Sequence, residues 1–85
     1  MFKLIYSSQA VKTLLKISRS KAKSIREKIN LLATDPYNTY LDVKKLQGRS
    51  GYRFRVGEWQ ILYELKNEEL IIIIIKIASR GDVYK

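Results

Sequence analysis

The sequence predicts one α+β domain over residues 1–85, with element order βααβββ and a helical hairpin packed on one face of a small, mainly antiparallel twisted sheet. Three patterns carry that expectation. Between residues 10 and 32 apolar side chains return every three to four positions; between 52 and 65 they return every second position; and residues 70–77 include six isoleucines. A chain of 85 residues is the size of a single domain. By surface scaling it buries only about 60–65% of its unfolded surface, so any site is expected on the surface rather than in an enclosed pocket.

Residues 2–6, with Phe2, Leu4, Ile5 and Tyr6, read as a short strand stopped by Ser7 and Ser8, both good helix N-caps. Ala10, Val11, Leu14, Leu15 and Ile17 then recur at helical spacing with Lys12 and Lys16 between them, which describes an amphipathic helix of about ten residues. Ser18, Arg19 and Ser20 interrupt it. Ala22, Ile25, Ile29 and Leu32 mark a second helix whose other faces carry Lys21, Lys23, Arg26, Glu27 and Lys28, and Asp35 with Pro36 ends it. Residues 37–51 lack a period and contain Gly48 and Gly51, so most of this segment reads as a loop carrying Lys44, Lys45 and Arg49.

From Tyr52 the period is two. With Gly57 and Glu58 as a two-residue turn, Val56 pairs with Trp59 and Arg55 with Gln60. Arg53, Arg55, Gln60 and Leu62 then share one face of a hairpin, and the aromatic side chains share the other. Lys66, Asn67, Glu68 and Glu69 form the next turn. The β-branched run after it is expected to be a central strand covered on both faces.

Charge is unevenly spread over the net +9. Residues 1–34 carry eight Lys/Arg against one Glu, residues 35–55 five against two Asp, and residues 56–85 four against five acidic side chains. A basic N-terminal and central part, with a pI near 9.9, points to a polyanionic partner such as nucleic acid, an anionic membrane surface or an acidic protein. The sequence has neither Cys nor His, which excludes thiol nucleophiles, disulfide scaffolding, the usual zinc sites and imidazole as proton carrier. No metal or cofactor is expected. Residues 2–6 are too short for a signal peptide and the apolar run 70–75 too short to span a bilayer, so a cytoplasmic location is expected.

Arg53 and Arg55 alternate with apolar neighbours as solvent-facing strand residues do in any two-layer protein. What adds to that ordinary account is their company. Lys44, Lys45 and Arg49 precede the hairpin, and Arg80, Tyr84 and Lys85 follow the last strand, so all can converge on one face. Guanidinium groups grip phosphate bidentately and aromatic rings stack on bases, a kit suited to single-stranded RNA. Trp59, with Phe54 and Ile61, is expected in the core instead.

Three runs carry a family resemblance: Lys45, Leu46, Gln47, Gly48; then Tyr52 to Tyr63; then Ala78, Ser79, Arg80, Gly81, Asp82, Val83, Tyr84. Together with the strand and basic hairpin before them, they make most of the chain similar to the RelE branch of the RelE/ParE toxin superfamily. The resemblance implies a RelE-like microbial ribonuclease fold and a toxin of a type II toxin–antitoxin pair. Such a toxin enters the ribosomal A site, cuts messenger RNA and is held inactive by a cognate acidic RelB-like antitoxin. Position by position, Arg53 and Arg55 match the basic pair near the scissile phosphate, Arg80 the arginine after the last strand, and Tyr84 the C-terminal tyrosine assigned to proton transfer or base stacking.

Two positions depart from the family pattern. Gln60 stands where an arginine usually follows the aromatic residue, which implies either a weaker grip on phosphate and an attenuated enzyme, or compensation by Arg53 and Arg55 gripping bidentately where relatives often have lysine. Ser79 stands where many relatives have histidine. The implied chemistry is metal-independent: the substrate's own 2′-hydroxyl attacks the adjacent phosphate, Arg53, Arg55 and Arg80 neutralise the growing charge, and Tyr84 is the candidate base. Lys44, Lys45, Arg49, Gln60 and Lys85 are candidate RNA contacts. A ParE-type gyrase-inhibiting toxin shares the fold, and a non-catalytic basic module for RNA or an acidic peptide suits the same charge; Arg80 with Tyr84 is the pair that a pure binder does not need.

Overall fold

A computed structural model describes residues 1–79. The chain runs β1 (Lys3–Tyr6), α1 (Ser8–Lys16), α2 (Arg19–Thr34), β2 (Val43–Lys45), β3 (Tyr52–Val56), β4 (Trp59–Lys66) and β5 (Ile71–Ser79). The five strands form one sheet in the order β1-β5-β4-β3-β2, parallel only between β1 and β5.

Each helix begins where a serine can satisfy free backbone N–H groups. Ser7 Oγ accepts from the Ala10 N–H at 3.1 Å, and Ser18 Oγ accepts from the Lys21 N–H at 3.3 Å. Asp35 closes α2 ahead of Pro36, as the residue before a proline is steered out of the helical region. The apolar stripes of both helices, Ala10 and Leu14 of α1 with Ala22, Ile25, Ile29, Leu32 and Ala33 of α2, are buried with the facing sheet residues Phe54, Ile61, Tyr63, Ile72, Ile74 and Ile77. The Tyr52 and Tyr63 rings stack at the β3–β4 pair with centroids 5.4 Å apart. Burial raises the Tyr63 phenol above its ordinary value, and the neighbouring Tyr52 and Tyr37 add to the rise. Trp59 is half-buried and packs against this core.

The structure corrects the expected element order to βααββββ. The segment read as loop holds the three-residue strand β2, paired antiparallel with β3 through Val43 with Phe54, Lys44 with Arg53 and Lys45 with Tyr52. Three residues are too few to display a period, and Lys is a poor strand former, so only the partner strand defines it. A second correction concerns β5. It lies inside the sheet as expected but is covered fully on one face only: Ile72, Ile74 and Ile77 are buried, whereas Ile71, Ile73 and Ile75 are half-buried. An all-isoleucine run hides this alternation, because the side chain is the same on both faces.

The hairpin register is the expected one, with Val56 opposite Trp59 and Arg55 opposite Gln60. Gly57, at the first central position of the turn, has φ of 59°, which glycine adopts without strain.

Candidate nucleic-acid interface

Because paired residues in a sheet project to the same side, the register fixes which side chains share the face turned away from the helices. Lys44 of β2 is opposite Arg53 of β3, Arg53 is opposite Leu62 of β4, and Leu62 is opposite Lys76 of β5. Three cations and one leucine thus lie in a row across four strands, about 14 Å at the usual interstrand spacing. The adjacent row consists of Arg55, Gln60 and Ala78. Like charges directly opposite one another destabilise a sheet. The register sets one such pair here, Lys44 opposite Arg53.

Beside this row an open cleft of about 490 Å³ is lined by Lys44, Lys45, Gln47, Arg49, Arg53 and Leu62. Four of the basic residues expected to converge do so here. The loop that carries Arg49 is held at both ends: the Leu46 N–H donates to the Gly51 carbonyl at 3.0 Å, and Ser50 Oγ donates to Glu64 Oε1 at 2.9 Å. Gly51 at the loop's end has φ of 107°, and a Cβ there would stand 3.0 Å from the Tyr63 carbonyl oxygen, so the tight approach of this loop to β4 requires glycine.

Arg55 and Gln60 differ from the simple expectation of solvent-facing contacts. Arg55 is half-buried, as is Arg53, and its Nε lacks a hydrogen-bond partner among the described residues. Gln60 is 1% exposed, and neither its Oε1 nor its Nε2 has a partner there. The register places the Gln60 amide beside Arg55 as expected, but the side chain is buried rather than presented. Arg80, Tyr84 and Lys85 lie outside the described residues. The strand that leads to them ends at Ser79, paired with Trp59, one residue past the Arg55–Gln60–Ala78 row.

Lys76 was not legible in the sequence as part of this face. Counting by twos from the buried Ile72 and Ile74 puts residue 76 on the core side. A β-bulge intervenes: Tyr63 pairs with Ile74 but Leu62 pairs with Lys76, leaving Ile75 as the extra residue. The one available signal was the lysine itself, a charge at a position the period assigns to the core. Among the described residues no group of three or more potential metal ligands comes together.

Comparison with known proteins bears on the family and the fold. The family described as the ParE toxin of type II toxin–antitoxin systems matches residues 4–84. A Methanocaldococcus jannaschii protein assigned as the toxin RelE1 is 33% identical over 86 residues, covering 99% of this chain and 96% of its own. This chain belongs to the RelE branch of the RelE/ParE superfamily. Among solved structures, RelE-branch relatives share the whole fold: the archaeal RelE–RelB complex from Pyrococcus horikoshii matches with a TM-score of 0.81 and 26% identity over 96% of this chain and 98% of that one. The E. coli RelBE toxin–antitoxin complex matches with a TM-score of 0.77, 93% of this chain and 96% of that one, but at 16% identity it speaks to fold alone. The RelE-branch fold thus accounts for the two helices on a five-stranded mixed sheet.

Proposed function

We propose that this RelE-branch chain is the toxin of a type II toxin–antitoxin pair and acts as a ribosome-dependent endoribonuclease on messenger RNA in the A site. The observation that carries the reading is the row Lys44, Arg53, Lys76 beside the basic cleft, next to Arg55, on the sheet face turned away from α1 and α2. Lys44, Lys45 and Arg49 hold the RNA backbone. Arg53, Arg55 and Arg80 surround the reacting phosphate. The substrate's 2′-oxygen bonds to phosphorus, the bond to the 5′-oxygen breaks, and the products are a 2′,3′-cyclic phosphate and a 5′-hydroxyl. The Tyr84 phenolate takes the 2′-hydroxyl proton, Arg80 donates a hydrogen bond to the leaving 5′-oxygen, and that oxygen takes its proton from water.

A free tyrosine ionises near pH ~10, so Tyr84 needs these cations to stabilise its phenolate, and the intrinsic rate is modest. Holding the RNA in line for attack then supplies much of the acceleration, and the ribosome contributes to that positioning. The site works without a metal, in the cytoplasm where ribosomes are; no helix among the described residues is long and apolar enough to cross a membrane. A cognate acidic RelB-like antitoxin covers the basic hairpin and the arginine face. That relatives are found in RelE–RelB complexes supports such a partner.

The match to a family described by its ParE members supports a second reading, inhibition of gyrase without RNA chemistry. Variants separate the two. Arg80→Ala is expected to lower single-turnover cleavage of translated message by about 100- to 1,000-fold, the loss seen when one transition-state donor is removed, while binding weakens less. Tyr84→Phe is expected to be similarly slow; a Phe variant that retains activity reduces Tyr84 to a stacking ring. Gyrase supercoiling inhibited by the parent, with no message cleaved, establishes the second reading.

A further inference from the structure

Strand β1 stops pairing with β5 at Tyr6 and Ile74, one residue before the bulge. Beyond that point the β5 backbone groups facing β1 are met by side chains from the start of α1. Ser7 Oγ donates to the Ile75 carbonyl at 2.6 Å. The Gln9 amide acts as a surrogate strand, its Oε1 accepting from the Ile77 N–H at 3.1 Å and its Nε2 donating to the Ile77 carbonyl at 3.3 Å. Ser7 and Gln9 therefore grip β5 on both sides of Lys76. The residue they bracket is the one that the bulge moves from the core side of the sheet to the cation row.

We infer that Lys76 is a further phosphate-contacting residue of the RNA face, and that Ser7 and Gln9 are positioning residues that hold the bulge which presents it. The inference rests on the RNA-cleaving reading and deepens it. A bulge leaves one residue unpaired and disrupts the ladder locally, so it persists only where the surrounding structure fixes it. Two forces fix it here. The regular register would place Lys76 opposite Ile61, taking a charged amine into the apolar core, which is strongly unfavourable. The Ser7 and Gln9 hydrogen bonds then satisfy three β5 backbone groups that the shortened β1 cannot reach. The half-buried Lys76 is thereby held at the end of the row that begins with Lys44, and the interface spans β2 to β5 rather than the β3–β4 hairpin alone.

The test uses the full chain and a 2′-O-methyl RNA oligonucleotide, which binds but cannot be cut because its nucleophile is blocked. Affinity is followed between roughly 50 and 200 mM salt, where each phosphate neutralised on a single strand contributes about 0.7 to the logarithmic slope. Lys76→Gln is expected to reduce the slope by about 0.7. Gln9→Ala is expected to reduce it by at least half as much, to lose no more when combined with Lys76→Gln, and to speed hydrogen exchange at the Ile77 amide while the Ile61 and Ile72 amides stay protected. Gln9→Glu, which keeps the acceptor for the Ile77 N–H and loses the donor, is expected to fall between parent and Gln9→Ala and serves if the alanine variant does not fold. A parent that binds RNA with the same slope as Lys76→Gln overturns the contact. Additive losses in the double variant, or Gln9 variants with faster Ile77 exchange and an unchanged slope, overturn the positioning role. A parent that neither binds the oligonucleotide nor cleaves translated message overturns the RNA-cleaving reading itself, and this inference with it.

Discussion

Gln60 brings an amide to a position 1% exposed, beside Arg55, with neither heteroatom hydrogen-bonded among the described residues. A buried polar group left unsatisfied costs about 1–3 kcal/mol, and an apolar group of the same shape removes that cost. Gln60→Met, close in volume and unbranched, is expected to raise stability by about that amount, read as a higher denaturant midpoint at unchanged slope; a lower midpoint means that the amide is satisfied in solution. Gln60→Arg, the change that would restore the family's usual guanidinium, must bury a charge next to Arg55, so any gain in phosphate contact is opposed by desolvation. Which side Gln60 faces was legible from the turn and the strand period, since both are local. Its burial was not, because burial depends on what lies over the sheet. Lys76 illustrates the same limit: alternation is readable until a bulge inserts a residue, and the isoleucines around this one are indistinguishable from each other.

At the scale of elements, the helices and the β3–β4 hairpin could be read residue by residue because each shows its own period and stop signals: Ser7 as a cap, Ser18 to Ser20 as the break between the helices, Asp35 with Pro36 as the end of α2, Gly57 with Glu58 as the turn. Strand β2 could not, because its three residues become a strand only by pairing with β3. The loop between them forms the cleft, and its geometry is set by Gly51. Gly51→Ala puts a Cβ 3.0 Å from the Tyr63 carbonyl at φ of 107°, whereas a Cβ on Gly48, at φ of 74°, meets nothing within 4 Å. The first substitution is expected to cost about 1–3 kcal/mol and the second less, since strained backbone alone accounts for it. Paired chemical denaturation of the two variants checks the ordering; equal losses would show that the approach of this loop to β4 is soft. Because the loop carries Arg49 and ends next to Tyr52, Gly51→Ala should also weaken RNA binding more than Gly48→Ala.

Over the whole molecule the charge is partitioned as the sequence indicated, with the excess in residues 1–55, on the helical hairpin, the cleft and β3. With neither His nor Cys, and with its acidic side chains concentrated after residue 56, this basic surface keeps its sign across the physiological pH range. An acidic antitoxin that covers it is expected to associate quickly at low salt, with an on-rate that falls steeply as ionic strength rises. Stopped-flow association across a salt series checks this, and a salt-indifferent on-rate would mean that apolar contacts govern capture. The cleft and the cation row lie on the sheet face turned away from the helices rather than around an enclosed pocket, so in the catalytic reading the ribosome is needed to hold the substrate. Primer extension on one message, incubated with the purified chain in parallel as naked RNA and on translating ribosomes, tests that dependence directly. The expected result is cleavage at positions fixed relative to the reading frame on ribosomes and little scission of naked RNA; equal cutting of both, or an intact message on ribosomes, would contradict it.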